Sequence, residues 1–180
     1  MPVPGAGAQA RACLEAVYRH GGEELGRVIA VCDPPSGPGL RFLQDQHASL
    51  VVLCNEIERG IAASSNRGLL LRERDVVLLR SDTLVTQGWL AEMLEVLGSS
   101  DRIASVAAVE GEPGAAPRFT EQRTAEGSCL LIRHWVLNAV GCFDATLGDA
   151  APDDWAMRAQ RFGLRHVRAN RARFQRQDVS

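Results

Sequence analysis

Apolar residues along this chain fall into two alternating patterns. Short continuous runs rich in Val, Ile and Leu occupy residues 27–32, 50–54, 75–79 and 103–109. Between them, apolar positions recur every three or four residues, the spacing of one helix face. The first such stretch, residues 10–19, places Ala10, Cys13, Leu14 and Val17 on one side and stops at Gly21-Gly22. The strand at 27–32 ends in Asp33-Pro34-Pro35-Ser36-Gly37, a cluster no regular element continues through. A short helical piece is predicted over 40–46, a strand over 50–54 ending at Asn55, and a small-residue helix over 60–71. The strand at 75–79 ends at Arg80-Ser81-Asp82-Thr83; Thr86 is then placed to cap a helix carrying Leu90, Met93, Leu94 and Leu97 on one face. After the strand at 103–109, the Gly/Pro/Ala stretch 111–117 reads as a loop, and no internal repeat is visible.

Strands that are apolar throughout, separated by helices, predict a doubly wound α/β fold: a mostly parallel sheet with helices on both faces. In such sheets ligands bind beyond the carboxyl ends of the strands, so Asp33, Asn55 and Asp82 become site candidates from periodicity alone. The 180 residues fit one domain. A composition of 46% hydrophobic and 23% charged residues excludes whole-chain disorder. Net charge −2 and pI near 6.1 argue against nucleic-acid binding. All positive residues are arginines; those from Arg158 to Arg176 crowd the last quarter, which reads as a solvated face able to attract a diphosphate, an anionic acceptor or an acidic membrane surface. Five scattered cysteines without C-x-x-C spacing fit reduced thiols, three of them acting as small hydrophobes in apolar runs. No run is long enough to span a bilayer and no signal peptide is evident, so the expected location is the cytoplasm, with peripheral membrane contact open.

Gly5-Ala-Gly7-Ala-Gln-Ala10 fits a dinucleotide fingerprint, but that motif needs a strand directly before it, and a flexible terminus is the simpler reading. The stretch Val76-Val77-Leu78-Leu79-Arg80-Ser81-Asp82-Thr83-Leu84-Val85-Thr86-Gln87-Gly88-Trp89-Leu90 is more specific. It resembles the strand, turn and helix of family 2 glycosyltransferases that carry a D-x-D-like metal motif. Further landmarks follow in the family's order: Pro2-Val3, Cys32-Asp33-Pro34-Pro35-Ser36, Asn55 with the segment from Gly60 to Gly68, Gly127 to Arg133, Val136 to Asp144, and Asp153-Asp154-Trp155-Ala156-Met157-Arg158-Ala159.

The resemblance implies a glycosyltransferase A type fold transferring a sugar from a nucleoside diphosphate sugar to an acceptor hydroxyl, with inversion, in polysaccharide or glycoconjugate assembly. It implies a nucleotide-binding half, 1–110, and an acceptor-side half, 118–180. On matching positions, Asp33, Asn55, Gly60, Asn66, Arg67, Arg80 and Asp82 would bind the donor, Asp82 would hold a divalent cation (Mg or Mn), and Asp153 or Asp154 would be the general base. The small residues Gly60, Ala62, Ala63 and Gly68 would let their helix approach the nucleotide. Against this, Arg80 stands where the family commonly has Asn or Asp, which weakens metal binding but offers a guanidinium to the diphosphate. Ala151-Pro152 occupy the expected Glu-Asp pair, Cys32 replaces a turn acid, and the tail Phe174-Gln175-Arg176 lacks a metal-binding histidine. These departures, and a chain that starts at the end of the family's first strand, admit an alternative: a truncated or degenerate, non-catalytic domain that binds nucleotide or a protein partner. Local chemistry leaves bland roles open as well, with Asp153 and Asp154 as acids in a helix's first turn after Pro152, and Asp33 and Asp82 as turn residues.

Overall fold

The computed structural model describes residues 4–33, 49–112, 114–125 and 128–177, with side chains from residue 7 onward. The element order is α1 (Pro4–His20), β1 (Val28–Cys32), β2 (Leu50–Cys54), α2 (Ile61–Leu69), β3 (Val76–Leu79), β4 (Thr83–Val85), α3 (Trp89–Gly98), β5 (Ile103–Glu110), β6 (Phe119–Gln122), β7 (Cys129–Ile132), α4 (His134–Val140), a 3-10 turn (Ala145–Ala150), α5 (Ala151–Arg161) and β8 (Arg165–Arg176). The helix predicted over 40–46 and the Pro2-Val3 landmark lie outside the described residues.

Period-two alternation sorts the sheet residues onto two faces. Val77 and Leu79 of β3, with Cys129 and Leu131 of β7, join Cys13 and Val17 of α1 and Trp89, Met93 and Leu97 of α3 in one core. Their neighbours Val76, Leu78, Leu130 and Ile132 join Leu69 of α2, Val136 and Leu137 of α4 and Trp155 and Ala156 of α5 in the other. Helices therefore cover both faces, as an α/β fold requires. The expected mostly parallel sheet is corrected to a mixed one. Parallel pairing joins β1 to β2 and β5 to β8, whereas β3–β7, β5–β7, β4–β8 and β6–β8 are antiparallel. Continuous apolar runs report burial on both faces, and a strand buried that way is apolar whichever direction its neighbour runs.

β8 is the hub of the six-stranded sheet, whose order is β3-β7-β5-β8-β4. β5 lies along one edge of it; β6 and β4 lie end to end along the other, opposite His166–Ala169 and Phe174–Arg176. The arginine-rich tail is thus not simply a solvated face: Val167, Ala169, Ala172 and Phe174 are buried while Arg168 and Arg171 point to water. Strands from residues 1–110 and 118–180 interleave in this one sheet.

Two local expectations also change. Thr86 does not cap α3, because its hydroxyl donates to the Arg173 carbonyl at 3.0 Å, fixing the chain leaving β4 to β8. The cap is Gly88, whose φ of 76° is the left-handed conformation that glycine adopts without strain. The segment from Gly5 to Ala10 lies within α1 rather than in a loop following a strand, so the dinucleotide reading loses its required context. Trp89 and Trp155 both pack in the core; Trp155 donates its indole N–H to the Gly141 carbonyl at 2.9 Å and meets Phe143 and His166 edge-on.

Candidate functional site

The carboxyl ends of β1 and β2 lie side by side because Cys32 pairs with Cys54, and the next residues are Asp33 and Asn55. Asn55, 1% exposed, sits at the centre of a polar network. Its amide donates to Asp33 Oδ1 at 3.2 Å and to Ser64 Oγ at 2.9 Å, and its carbonyl oxygen accepts from Arg67 Nη1 at 2.7 Å. The same Arg67 nitrogen also reaches the Cys54 carbonyl. Asp33 accepts from the backbone N–H groups of Arg59 at 2.8 Å and Gly60 at 2.7 Å, so its carboxylate closes over the entry to α2. Gly60 there has φ 82°. Burial opposes ionisation of Asp33, but the donors Arg59, Asn55, Ser64 and Gly60 outweigh it and hold the carboxyl below its usual range. Asp33, Asn55, Gly60 and Arg67 are therefore assembled in one place, and Ser64 joins them, a member with no signal beyond its place in the small-residue helix.

Asn66 faces elsewhere. Its amide donates to the Phe143 carbonyl at 2.8 Å and its oxygen accepts the Phe143 N–H at 3.0 Å, tying α2 to the loop after α4. Gly68 is turned to β1, where an added Cβ would stand 3.6 Å from Val31 Cγ2.

Beyond β3 a second cluster forms. The turn between β3 and β4 is pinned by Arg80 N–H to the Ser128 carbonyl at 2.9 Å and by Thr83 N–H to the Arg80 carbonyl at 3.2 Å. Arg80 forks onto its neighbour: Nε lies 3.2 Å from Asp82 Oδ1 and Nη2 lies 3.3 Å from Oδ2. Arg176 stands opposite Thr83 in the β4–β8 register and donates to Ser128 Oγ at 2.8 Å. Burial opposes ionisation of Asp82, but the Arg80 hydrogen bond and the charges of Arg80 and Arg176 outweigh it and lower its pKa. The bonds of Asp33 and of Asp82 run to different residues, and β1 and β2 form a two-stranded sheet apart from the six-stranded sheet that holds β3, so the two clusters are separate assemblies. Arg176 and Ser128 carried no individual signal: one was absorbed into the arginine-rich tail and the other into an apolar landmark.

This cluster does not fit a divalent cation. Such ions take several oxygen ligands, and Asp82, already forked by one guanidinium and in the field of a second, is a single carboxylate. Among the described residues no three His, Cys, Asp or Glu side chains group to hold a metal.

Asp153 and Asp154 lie in the first turn of α5, behind Pro152. Asp154 pairs with Arg158 one turn on, at 2.7 Å, and Arg158 in turn donates to the carbonyls of Val140 and Cys142. Asp154 thus positions an arginine that clasps the end of α4. Asp153 has a buried Oδ1 with no hydrogen-bond partner. Cys13, Cys54, Cys129 and Cys142 are free thiols; Cys13, Cys32 and Cys129 are buried, whereas Cys54 is exposed at the end of β2 rather than packed as a hydrophobe. Two hollows beside α1, one against β4 and one against the start of α3, both bordered by Arg19, His20 and Gln87, collect none of the predicted site residues. Among the described residues no helix is long and apolar enough to cross a membrane.

Among solved structures, the chain is similar to that of GalNAc-T7 with UDP, GalNAc and Mn2+, with a TM-score of 0.79 and 10% identity, covering 92% of this chain and 40% of that one. It is similar to the mannosyltransferase PcManGT from Pyrobaculum calidifontis in complex with GDP-Man and Mn2+, with a TM-score of 0.74 and 16% identity, covering 94% of this chain and 53% of that one. It is similar also to TarS 1-349 of S. aureus, with a TM-score of 0.73 and 15% identity, covering 96% of this chain and 57% of that one. At these identities the likeness carries the fold, and the chain has the glycosyltransferase A type α/β fold. It spans between 40% and 57% of the length of these structures. No family model and no curated protein matches the chain.

Proposed function

We propose that this chain is the donor-binding domain of a family 2-like glycosyltransferase that moves a sugar from a nucleoside diphosphate sugar to the hydroxyl of a saccharide or glycoconjugate acceptor. The observation that carries the reading is the pair of polar clusters at the strand ends, Asp33–Asn55–Arg67 and Arg80–Asp82–Arg176, on a fold shared with proteins solved with UDP or GDP-Man. In open α/β sheets, ligand crevices form beyond the carboxyl ends of strands.

In this reading Asp33, held in place by the buried Asn55, faces the nucleoside, and the second cluster faces the diphosphate. Asp153, whose Oδ1 is buried and unpaired, is the general base in preference to Asp154, which Arg158 already engages. The base takes the acceptor hydroxyl proton while that oxygen bonds to the anomeric carbon. On the opposite face the bond to the diphosphate oxygen breaks, and the diphosphate leaves with the electron pair. The anomeric centre is thereby inverted. The free thiols of Cys13, Cys54, Cys129 and Cys142 suit a cytoplasmic setting.

The test is sugar-nucleotide turnover by wild type, Asp153→Asn and Asp154→Asn, each with a melting curve. Asp153→Asn is expected to lose about a hundredfold or more in rate with an unchanged melt, the size of effect a general base supplies. Asp154→Asn should lower the melt, because it frees Arg158. Equal turnover in wild type and Asp153→Asn would remove the assignment. A second reading, a non-catalytic domain of the same fold, is favoured by Ala151-Pro152 at the head of α5, where no acid stands. Nucleotide binding without turnover by any variant would select it.

A further inference from the structure

We propose that, at this donor site, the guanidinium groups of Arg80 and Arg176 neutralise the ligand's diphosphate in place of a divalent ion, with Asp82 holding Arg80 in position. The inference rests on the donor-site reading above and goes beyond it in naming the group that meets the phosphates.

Three features of the geometry support it. First, both arginines are anchored through one residue: Ser128 accepts the Arg80 N–H on its carbonyl and the Arg176 Nη2 on its hydroxyl. The Arg80 carbonyl is engaged too, by Thr83 N–H and by the Cys13 thiol at 3.5 Å, so the backbone beneath the guanidinium is held from both sides. Second, the cations lie outside the carboxylate. The Arg80 side chain is 52% exposed and Arg176 49%, whereas Asp82 is 17% exposed. An incoming anion meets guanidinium first, and an incoming cation would have to pass two positive groups to reach one acid. Third, donors remain free. Arg80 uses Nε and one N–H of Nη2 on Asp82, which leaves N–H groups to receive phosphate oxygens in the planar, bidentate manner that guanidinium favours. Glu110, the other carboxylate here, is 3.9 Å from Arg176 Nε, beyond hydrogen-bond reach, and leaves that nitrogen available to a phosphate.

Calorimetric titration of the full chain with UDP and with GDP, in chelator and in manganese, tests this. For whichever diphosphate binds, affinity is expected to agree within about threefold between the two conditions. Arg80→Ala and Arg176→Ala should each weaken it at least about tenfold, the worth of a charge-assisted hydrogen bond. Arg80→Asp, which sets two carboxylates two residues apart, should make binding depend on manganese. That variant keeps the test decisive if Arg176→Ala melts early. Binding that requires manganese in wild type would overturn the inference and leave the donor-site reading standing. Binding by Arg80→Asp in chelator at wild-type affinity would overturn it as well. If neither diphosphate binds in either condition, the donor-site reading fails and takes the inference with it.

Discussion

Truncating Asn55 to alanine tests how the ends of β1 and β2 are held. The side chain is buried and makes three hydrogen bonds, to Asp33, Ser64 and Arg67. A neutral hydrogen bond contributes about 1 kcal/mol and one to a charged group about 1.5–3 kcal/mol. Asp33 and Arg67 retain faces open to water and recover part of their hydration, so the lower end applies to both, and with the neutral Ser64 bond the loss comes to about 4 kcal/mol. For a chain of 180 residues, each 1 kcal/mol moves the melting temperature by about 2–4 °C, so Asn55→Ala should melt about 8–16 °C lower. Thermal unfolding followed by circular dichroism, on Asn55→Ala, Asp33→Ala and the double variant, measures this. Because the two side chains share a bond, their effects should fall short of additivity by about 1 kcal/mol. A single variant melting within about 2 °C of wild type, or a strictly additive pair, would refute the network as the clamp on these strands.

Two further outcomes follow from bonds already described. Asn66→Ala breaks both links to the Phe143 peptide and strands that buried N–H and C=O, so urea unfolding should show a loss of about 2–3 kcal/mol, with faster amide exchange at Phe143; an unchanged midpoint would contradict it. His166 is buried between Ser105 and the Ala156 carbonyl; burial pushes its pKa below the ordinary value, more than the bond to Ala156 raises it, so the native ring stays neutral. Since the unfolded chain then takes up a proton near pH 6.5 that the native state refuses, this stability is full above that pH and falls as pH drops through it. The acid-side decline in urea midpoint should be shallower in His166→Gln; parallel profiles would refute it.

Much of the architecture was legible in the sequence. β1, β2, β3 and β5 are where continuous Val, Ile and Leu runs predict them, because burial on both faces writes itself directly into composition. β8 was not legible. Its residues, Arg-His-Val-Arg-Ala-Asn-Arg-Ala-Arg-Phe-Gln-Arg, have little strand propensity and bury on an irregular pattern, since register shifts interrupt its pairing with β5. Strand direction was likewise hidden. At the site, the residues beyond β1 and β2 were recoverable because Asp and Asn at strand ends stand out against apolar neighbours. Their partners were harder to find: Ser128, Arg176 and Ser64 contribute through position in space, and nothing in their spacing separates them from ordinary surface or packing residues.

The central place of β8 also constrains the order in which the sheet can be completed. β4, β5 and β6 all pair with a strand whose first residue is Arg165, so during synthesis each leaves the ribosome before its partner exists. Val85 and Val106, buried in the finished molecule, spend that interval without the strand that covers them. Pairings of such long sequence separation form slowly and leave apolar edges open to other chains in the meantime. Nascent chains stalled before residue 165 should therefore be the species most in need of a chaperone.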